Sequence, residues 1–238
     1  MDKAATVTDT LIRETLGAGR RTLTEPETKT ILRAYAIPVP RFEAVKDRET
    51  ATVASASFSY PLALKVISRE LTHKSEAGGV VLGIQNAKDI EDGLFEIMLN
   101  VADDAPQAII EGFLIEEMAP RGVEVIVGAL RDPVFGPAVM FGTGGLAVEI
   151  LKDVTFALSP IDREDAFEMM NEVKGFGLLT GARGGGFKDL DAIADVIMKV
   201  SRIMEENVHI MELEINPLIV YRKGVLAVDA RATLSVAV

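Results

Sequence analysis

The chain has 238 residues, 48% hydrophobic and 26% charged, which is enough apolar material for one large domain or two small ones. Its net charge of −11 opposes a nucleic-acid-binding surface, and the absence of cysteine removes disulfides, thiolate-bound zinc and thiol catalysis together. Residues 1–20 lack the apolar stretch of a signal peptide, and no apolar run reaches the length of a membrane span, so a soluble cytoplasmic protein is expected. His73 and His209 are the only imidazoles in the chain.

Thr24-Glu25-Pro26-Glu27 reads as a capping box with proline in the first turn, opening a helix that carries Ile31, Leu32 and Tyr35. That helix must end before Ile37-Pro38-Val39-Pro40. A short strand over 41–45, a helix over 47–58, a buried strand over 62–67 and a strand over 80–84 follow. Residues 87–101 place Ile90, Leu94, Ile97, Met98 and Val101 at helical spacing. Strands are then predicted over 109–116, 123–130, 134–141, 146–151 and 154–158, and helices over 162–173 and 189–205. Residues 211–220 and 225–229 read as an antiparallel pair around Arg222-Lys223-Gly224. Consecutive strands often lack an intervening helix, which favours an α+β layering over a doubly wound sheet.

The common nucleotide motifs are missing. No G-x-x-x-x-G-K-[ST] occurs, and Gly175 to Thr180 only approaches G-x-G-x-x-G, without the strand that must precede it. Lys65 sits inside an apolar strand, so it must reach an edge or meet an anion. The loop after it, Thr72-His73-Lys74-Ser75-Glu76-Ala77-Gly78-Gly79, can turn backbone N–H groups toward phosphate oxygens, although paired glycines also make plain turns. Glu116-Glu117-Met118 and Gly122-Val123-Glu124 join two strands. This linker can offer backbone groups to a purine and Glu124 to ribose hydroxyls, or it is a solvated acidic hinge. In the C-terminal pair, Asn216 and Asp229 can lie side by side and give hard oxygen ligands for Mg²⁺. An Asn-Pro after a strand is otherwise a turn.

Taken together and in this order, these segments and Phe141-Gly142-Thr143-Gly144-Gly145 resemble the ATP-grasp superfamily. Within it they are similar to the nucleotide-binding subunit of ADP-forming acetyl-CoA synthetases and of the related succinyl-CoA synthetases. The resemblance runs from about Leu23 to Leu234 and implies an α+β ATP-grasp fold of two subdomains clamping a nucleotide. A lid lobe is expected over 22–115, with 1–21 and 116–238 forming the second subdomain and its metal-binding hairpin.

The resemblance also implies residue roles. Lys65, Gly78 and Gly79 serve the nucleotide phosphates, Glu116 and Met118 the base, and Glu124 the ribose. Asn216 and Asp229 ligate Mg²⁺, with Glu214 beside them, and ATP or ADP is the substrate. His73 is the expected catalytic residue, a phosphoryl acceptor in the His-Lys-Ser segment of the acetyl-CoA branch. The Gly142–Gly145 turn and Asp153 are expected to face the phosphohistidine segment of a partner chain. Arg183 can meet a phosphate or be exposed, and His209 is expected to be structural.

No CoA-binding fold is visible, so the expected partner is a CoA-binding α subunit in an α2β2 heterotetramer, with neither nucleic acid nor membrane involved. The resulting activity is that of one subunit of an acetate–CoA ligase (ADP-forming). Two other readings are weighed against it. One is a non-catalytic nucleotide-sensing ATP-grasp module of a regulatory or acyltransferase assembly, in which the phosphate and metal positions often decay. The other is a carboxylate–amine ligase, for whose extra lobe the chain has little spare length. Lys65, His73, Asn216 and Asp229 are all present, which favours catalysis.

Overall fold

The computed structural model describes residues 3–71, 74–144, 153–181 and 186–236. The chain forms two compact units, one of Met1–Val39 with Arg121–Val238 and one of Pro40–Pro120.

The larger unit opens with α1 (Lys3–Gly17), β1 (Thr22–Leu23) and α2 (Glu25–Ala34). The capping box at α2 is formed: the Thr24 N–H donates to the Glu27 carboxylate at 2.8 Å, and Arg20 grips the same carboxylate through both its terminal nitrogens. Burial opposes ionisation of Glu27, but these bonds outweigh it and hold its pKa below the usual range.

After residue 120 come β6 (Val123–Asp132), β7 (Gly136–Thr143), β8 (Val154–Leu158), α5 (Arg163–Glu172) and α6 (Phe176–Leu179). The small strands β9 (Thr180–Gly181) and β10 (Gly186–Phe187) pair with each other. The unit closes with α7 (Leu190–Glu206), β11 (Ile210–Val220), β12 (Val225–Ala227) and β13 (Ala230–Leu234). Seven strands make one sheet in the order β1-β13-β11-β6-β7-β8, with β12 on β11. The neighbours on this path are antiparallel.

Helix α7 supplies the centre of the core. Ile193, Ile197, Val200 and Met204 recur at helical spacing and are fully buried against β6, β7 and β11. Asp189 caps its first turn through the Ala192 N–H, and the Arg131 guanidinium donates to the carbonyls of Met204, Asn207 and Ile210 at its end.

In the smaller unit, β2 (Phe42–Val45), β3 (Leu62–Ile67), β4 (Val80–Ile84) and β5 (Gly112–Glu117) form an antiparallel sheet ordered β2-β5-β3-β4. Helices α3 (Arg48–Ser55) and α4 (Ala87–Asp104) pack on it. Its core is built from Leu62, Leu64, Val66, Phe113 and Ile115 with Ala51, Ile90, Leu94 and Ile97.

Three expectations change. The lobe boundary expected at residue 22 falls at residue 40, because β1 pairs with β13 and Leu23, Ile31 and Leu32 are buried in the larger unit's core. The other boundary moves from 116 to 121, since β5 runs on to Glu117. Val134 and Phe135 lie in a turn before β7, their N–H groups held by the Asp132 carboxylate. The strand expected over 146–151 lies outside the described residues. Among the described residues no helix is long and apolar enough to cross a membrane.

The packing of α7 makes a direct test. Ile197→Ala lowers stability by about 2–5 kcal/mol in urea unfolding, through a cavity that the sheet cannot close. Asp195→Ala breaks only an exposed pair with Arg163 at 2.9 Å and changes stability by less than about 1 kcal/mol.

Candidate functional site

Strand alternation sorts the smaller unit's sheet into two faces. Leu62, Leu64 and Val66 of β3 and Phe113 and Ile115 of β5 pack under the helices, so Ala63, Lys65, Leu114 and Glu116 point the other way. In the register, Lys65 lies opposite Leu114 and Ala63 opposite Glu116. Lys65 and Glu116 are therefore diagonal neighbours on one face, within reach of a long side chain. The Lys65 ammonium stands 3.1 Å from Glu116 Oε1, and both side chains are at least 95% buried. Of the two outcomes expected of this lysine, an edge or an anion, the structure shows an anion within its own sheet.

Residues 74–79, before β4, form a closed turn. Gly79 N–H donates to Lys74 O at 2.7 Å and Gly78 N–H to Ser75 O at 3.3 Å. Gly78 has φ +60, and a Cβ there would lie 2.6 Å from Asn100 Cβ, so both conformation and space call for glycine. The Asn100 amide, on α4, donates to Gly78 O at 3.3 Å. In this conformation both glycine N–H groups are used inside the turn, whereas a phosphate-facing role was expected of them. Met118 is exposed and its N–H is committed to Pro61 O at 3.0 Å, so any base contact falls to its carbonyl. His73 lies outside the described residues, as do Gly145 and Arg183.

In the larger unit the same alternation puts Val125 and Val127 of β6, and Leu213 and Ile215 of β11, into the core. Glu124 and Glu214 fall on the opposite face. The register of β11 against β6 shifts between Ile215 and Leu218, a bulge that sits at Asn216-Pro217. There Asn216 N–H donates to Asp229 O at 3.1 Å, so the expected side-by-side placement of Asn216 and Asp229 is present. It is made where the chain steps from β12 to β13, two strands that both pair with β11.

The Asn216 amide nitrogen is turned to Glu214 Oε1 at 3.2 Å, which leaves its oxygen as the hard donor. Glu214 Oε2 is held by Arg231 at 3.0 Å, and Asp229 Oδ1 accepts from Ala230 N–H at 2.8 Å. Among the described residues no group of three Asp, Glu, His or Cys side chains forms a metal cage. One amide oxygen and one carboxylate fit Mg²⁺, which takes one or two protein oxygens and fills the rest of its octahedron with water and phosphate. His209 is half-buried, its Nδ1 3.1 Å from Ser235 O.

Asp153 departs from its expectation of facing a partner chain. It is buried, and its two oxygens collect the N–H groups of Lys174 and Gly175 and the Thr143 hydroxyl, each at 2.8 Å. Burial works against its charge, but these three donors prevail and keep its pKa below the ordinary aspartate value. Its stabilising contribution is therefore complete above the unfolded aspartate pKa and is lost as pH falls through the lower folded value. The sequence shows only an Asp at the start of a strand; one donor lies ten residues earlier and the other two in a turn 21 and 22 residues further on.

Residues 14–234 match the ATP-grasp domain family, and the chain belongs to it. The chain is 45% identical over 234 residues to the beta subunit of acetate–CoA ligase (ADP-forming) I of Pyrococcus furiosus, with 98% of this chain and 100% of that one covered. The dinucleotide-forming acetyl-coenzyme A synthetase 1 of Ca. Korarchaeum cryptofilum, in complex with coenzyme A, Ca-AMPCP and HgCl+, superposes with a TM-score of 0.93. It has 42% identity and covers 96% of this chain and 100% of its own. Another structure of that synthetase, with coenzyme A and Mg-AMPPCP and its phosphohistidine segment pointing towards the nucleotide binding site, gives a TM-score of 0.84 at 38% identity over the same shares of the two chains.

The buried ion pair is testable without any ligand. Lys65→Met removes the cation from beside a buried carboxylate and lowers stability by about 3–5 kcal/mol, whereas Lys65→Met with Glu116→Leu restores most of the loss. Chemical denaturation of the three chains checks this; a double variant no better than the single one contradicts it.

Proposed function

We propose that the chain is the nucleotide-handling β subunit of an ADP-forming acyl-CoA synthetase of the acetate–CoA ligase type. The assembly takes acyl-CoA, ADP and phosphate to the free acid, CoA and ATP, and this subunit moves the phosphoryl group between a phosphohistidine and ADP. The observation that carries this reading is the end-to-end likeness to the Pyrococcus beta subunit, which spans both chains. The partner is a CoA-binding α subunit, in an α2β2 cytoplasmic assembly.

Each polar group then has a task. Lys65, held by the Glu116 carboxylate, is the fixed cation for the nucleotide phosphates, and the Glu116 backbone and the Met118 carbonyl meet the base. Gly78 and Gly79 shape the phosphate loop rather than donate to it in the conformation described. Glu124 accepts from the ribose hydroxyls. Asn216 and Asp229 hold Mg²⁺, which supplies charge neutralisation at the phosphate oxygens, and Glu214 orients the Asn216 amide. In the transfer, the N–P bond of phosphohistidine breaks as a terminal β-phosphate oxygen of ADP bonds to phosphorus, and the imidazole leaves with its electron pair. Little covalent work falls to the protein in such a step; positioning and charge do most of it.

His73 is the histidine we assign to a transient phosphoryl-carrying role on this chain. Support comes from its place directly before the Lys74–Gly79 turn, which the Asn100 amide holds. A carrier on this chain would divide delivery of the phosphoryl group from a partner's phosphohistidine to ADP into two transfers.

Two measurements test this reading. By calorimetry, the full chain binds ADP in a Mg²⁺-dependent manner, and Asp229→Ala weakens Mg-ADP by at least about tenfold, roughly the loss of one charge-assisted contact. Unchanged affinity removes the metal assignment. In the second, the complex with its α subunit is incubated with labelled ATP and Mg²⁺ and analysed at alkaline pH. Label on this chain disappears in His73→Asn and survives in His209→Asn. Full turnover by His73→Asn ends the catalytic role.

A further inference from the structure

We infer that Asp153 is a positioning residue for the nucleotide site: its carboxylate holds Thr143, and with it Gly144, at the end of β7 onto the backbone of Glu124. This deepens the functional reading above and rests on the assignment of Glu124 to the ribose.

The linkage is continuous. Asp153 Oδ2 accepts the Thr143 hydroxyl and the Gly175 N–H, while Oδ1 accepts the Lys174 N–H, so one carboxylate ties together the end of β7, the start of β8 and the turn before α6. Thr143 is 98% buried, and the next residue, Gly144, donates its N–H to Glu124 O at 2.9 Å. That bond lies just past the last paired rung of β6 and β7, Val125 with Thr143. There the β6–β7 ladder ends while Glu124 stays paired with Ile219 of β11 on its other side, so the Gly144 bond secures the β7 side of the residue whose carboxylate must stay in place.

The joint has no slack. A Cβ on Gly144 would stand 2.7–2.9 Å from the Glu124 carbonyl carbon, oxygen and Cβ. A Cβ on Gly175 would stand 2.2 Å from Thr143 Cγ2. Backbone meets backbone at Gly144, and backbone meets the Thr143 side chain at Gly175, as only glycine permits, and the buried carboxylate is bonded to both Thr143 and Gly175. Glu124 itself is exposed on the face of the sheet opposite the core, so its direction depends on its backbone rather than on side-chain packing.

The test asks whether the clamp acts through the ribose. The full chain is titrated calorimetrically with Mg-ADP and with Mg-2′,3′-dideoxy-ADP, using wild type, Thr143→Val, Thr143→Ser, Asp153→Asn and Glu124→Gln. Thr143→Val is nearly isosteric and removes only the hydroxyl, so it reports even where Asp153→Asn fails to fold. We expect Thr143→Val and Asp153→Asn to weaken ADP by about fivefold to tenfold, the worth of one well-placed hydrogen bond, and the dideoxy nucleotide by less than about twofold. Thr143→Ser restores the preference for ADP, which a general loss of packing would not allow. If Thr143→Val and every folded Asp153→Asn sample discriminate as wild type does while Glu124→Gln does not, the inference is overturned and the ribose assignment stands. If Glu124→Gln also discriminates as wild type does, the ribose assignment fails and takes the inference with it.

Discussion

The apolar stripe of α7 against β6, β7 and β11 fixes what the larger sheet can present. Once Val125, Val127, Leu213 and Ile215 are drawn under the helices, the period of two along each strand leaves Glu124 and Glu214 on the other face. The bulge at Asn216-Pro217 then breaks that alternation at one place, which brings the Asn216 backbone to Asp229. A pair of oxygen donors for a hard cation thus follows from a packing requirement on the opposite side of the sheet and one local departure from it.

The smaller unit obeys the same rule with a different outcome. Its helices also take one face of the sheet, and the charged residues Lys65 and Glu116 take the other. Here the charges are buried and paired, which fixes the ammonium in direction before any ligand arrives. Such a pair adds little net stability over apolar residues of the same volume, so its presence is better explained by what it orients.

Much of this was legible from residue types at known spacings. The capping box at Thr24, the need of Lys65 for an edge or an anion and the juxtaposition of Asn216 with Asp229 each follow from local rules of helix, burial or hairpin. What was hidden depends on distant chain segments. Helix α1 buries Ala4, Thr8, Ile12 and Thr15, and because two of these are threonines the apolar period is diluted below notice. Strand β13 was missed since Val228-Asp229 reads as the end of a hairpin, whereas the chain continues along β11 as a second partner. The inward turn of Asp153 depends on N–H groups from a later turn, and no spacing in the sequence announces it. The site roles assigned to Lys65, Gly78, Gly79, Glu116, Met118 and Glu124 rest on family likeness joined to this geometry.

The chain's path also sets an order of assembly during synthesis. Residues 40–120 form one unbroken stretch whose strands all pair among themselves, so every partner of this unit has been made by residue 120. Thr22 and Leu23, by contrast, pair with Thr233 and Ala232, a separation of some two hundred residues. The first strand made is among the last to be satisfied, and the loop it must close is the longest in the sheet. While the ribosome is still at work, α1 and α2 are therefore segments waiting for a sheet, with every strand of the stretch 40–120 already made.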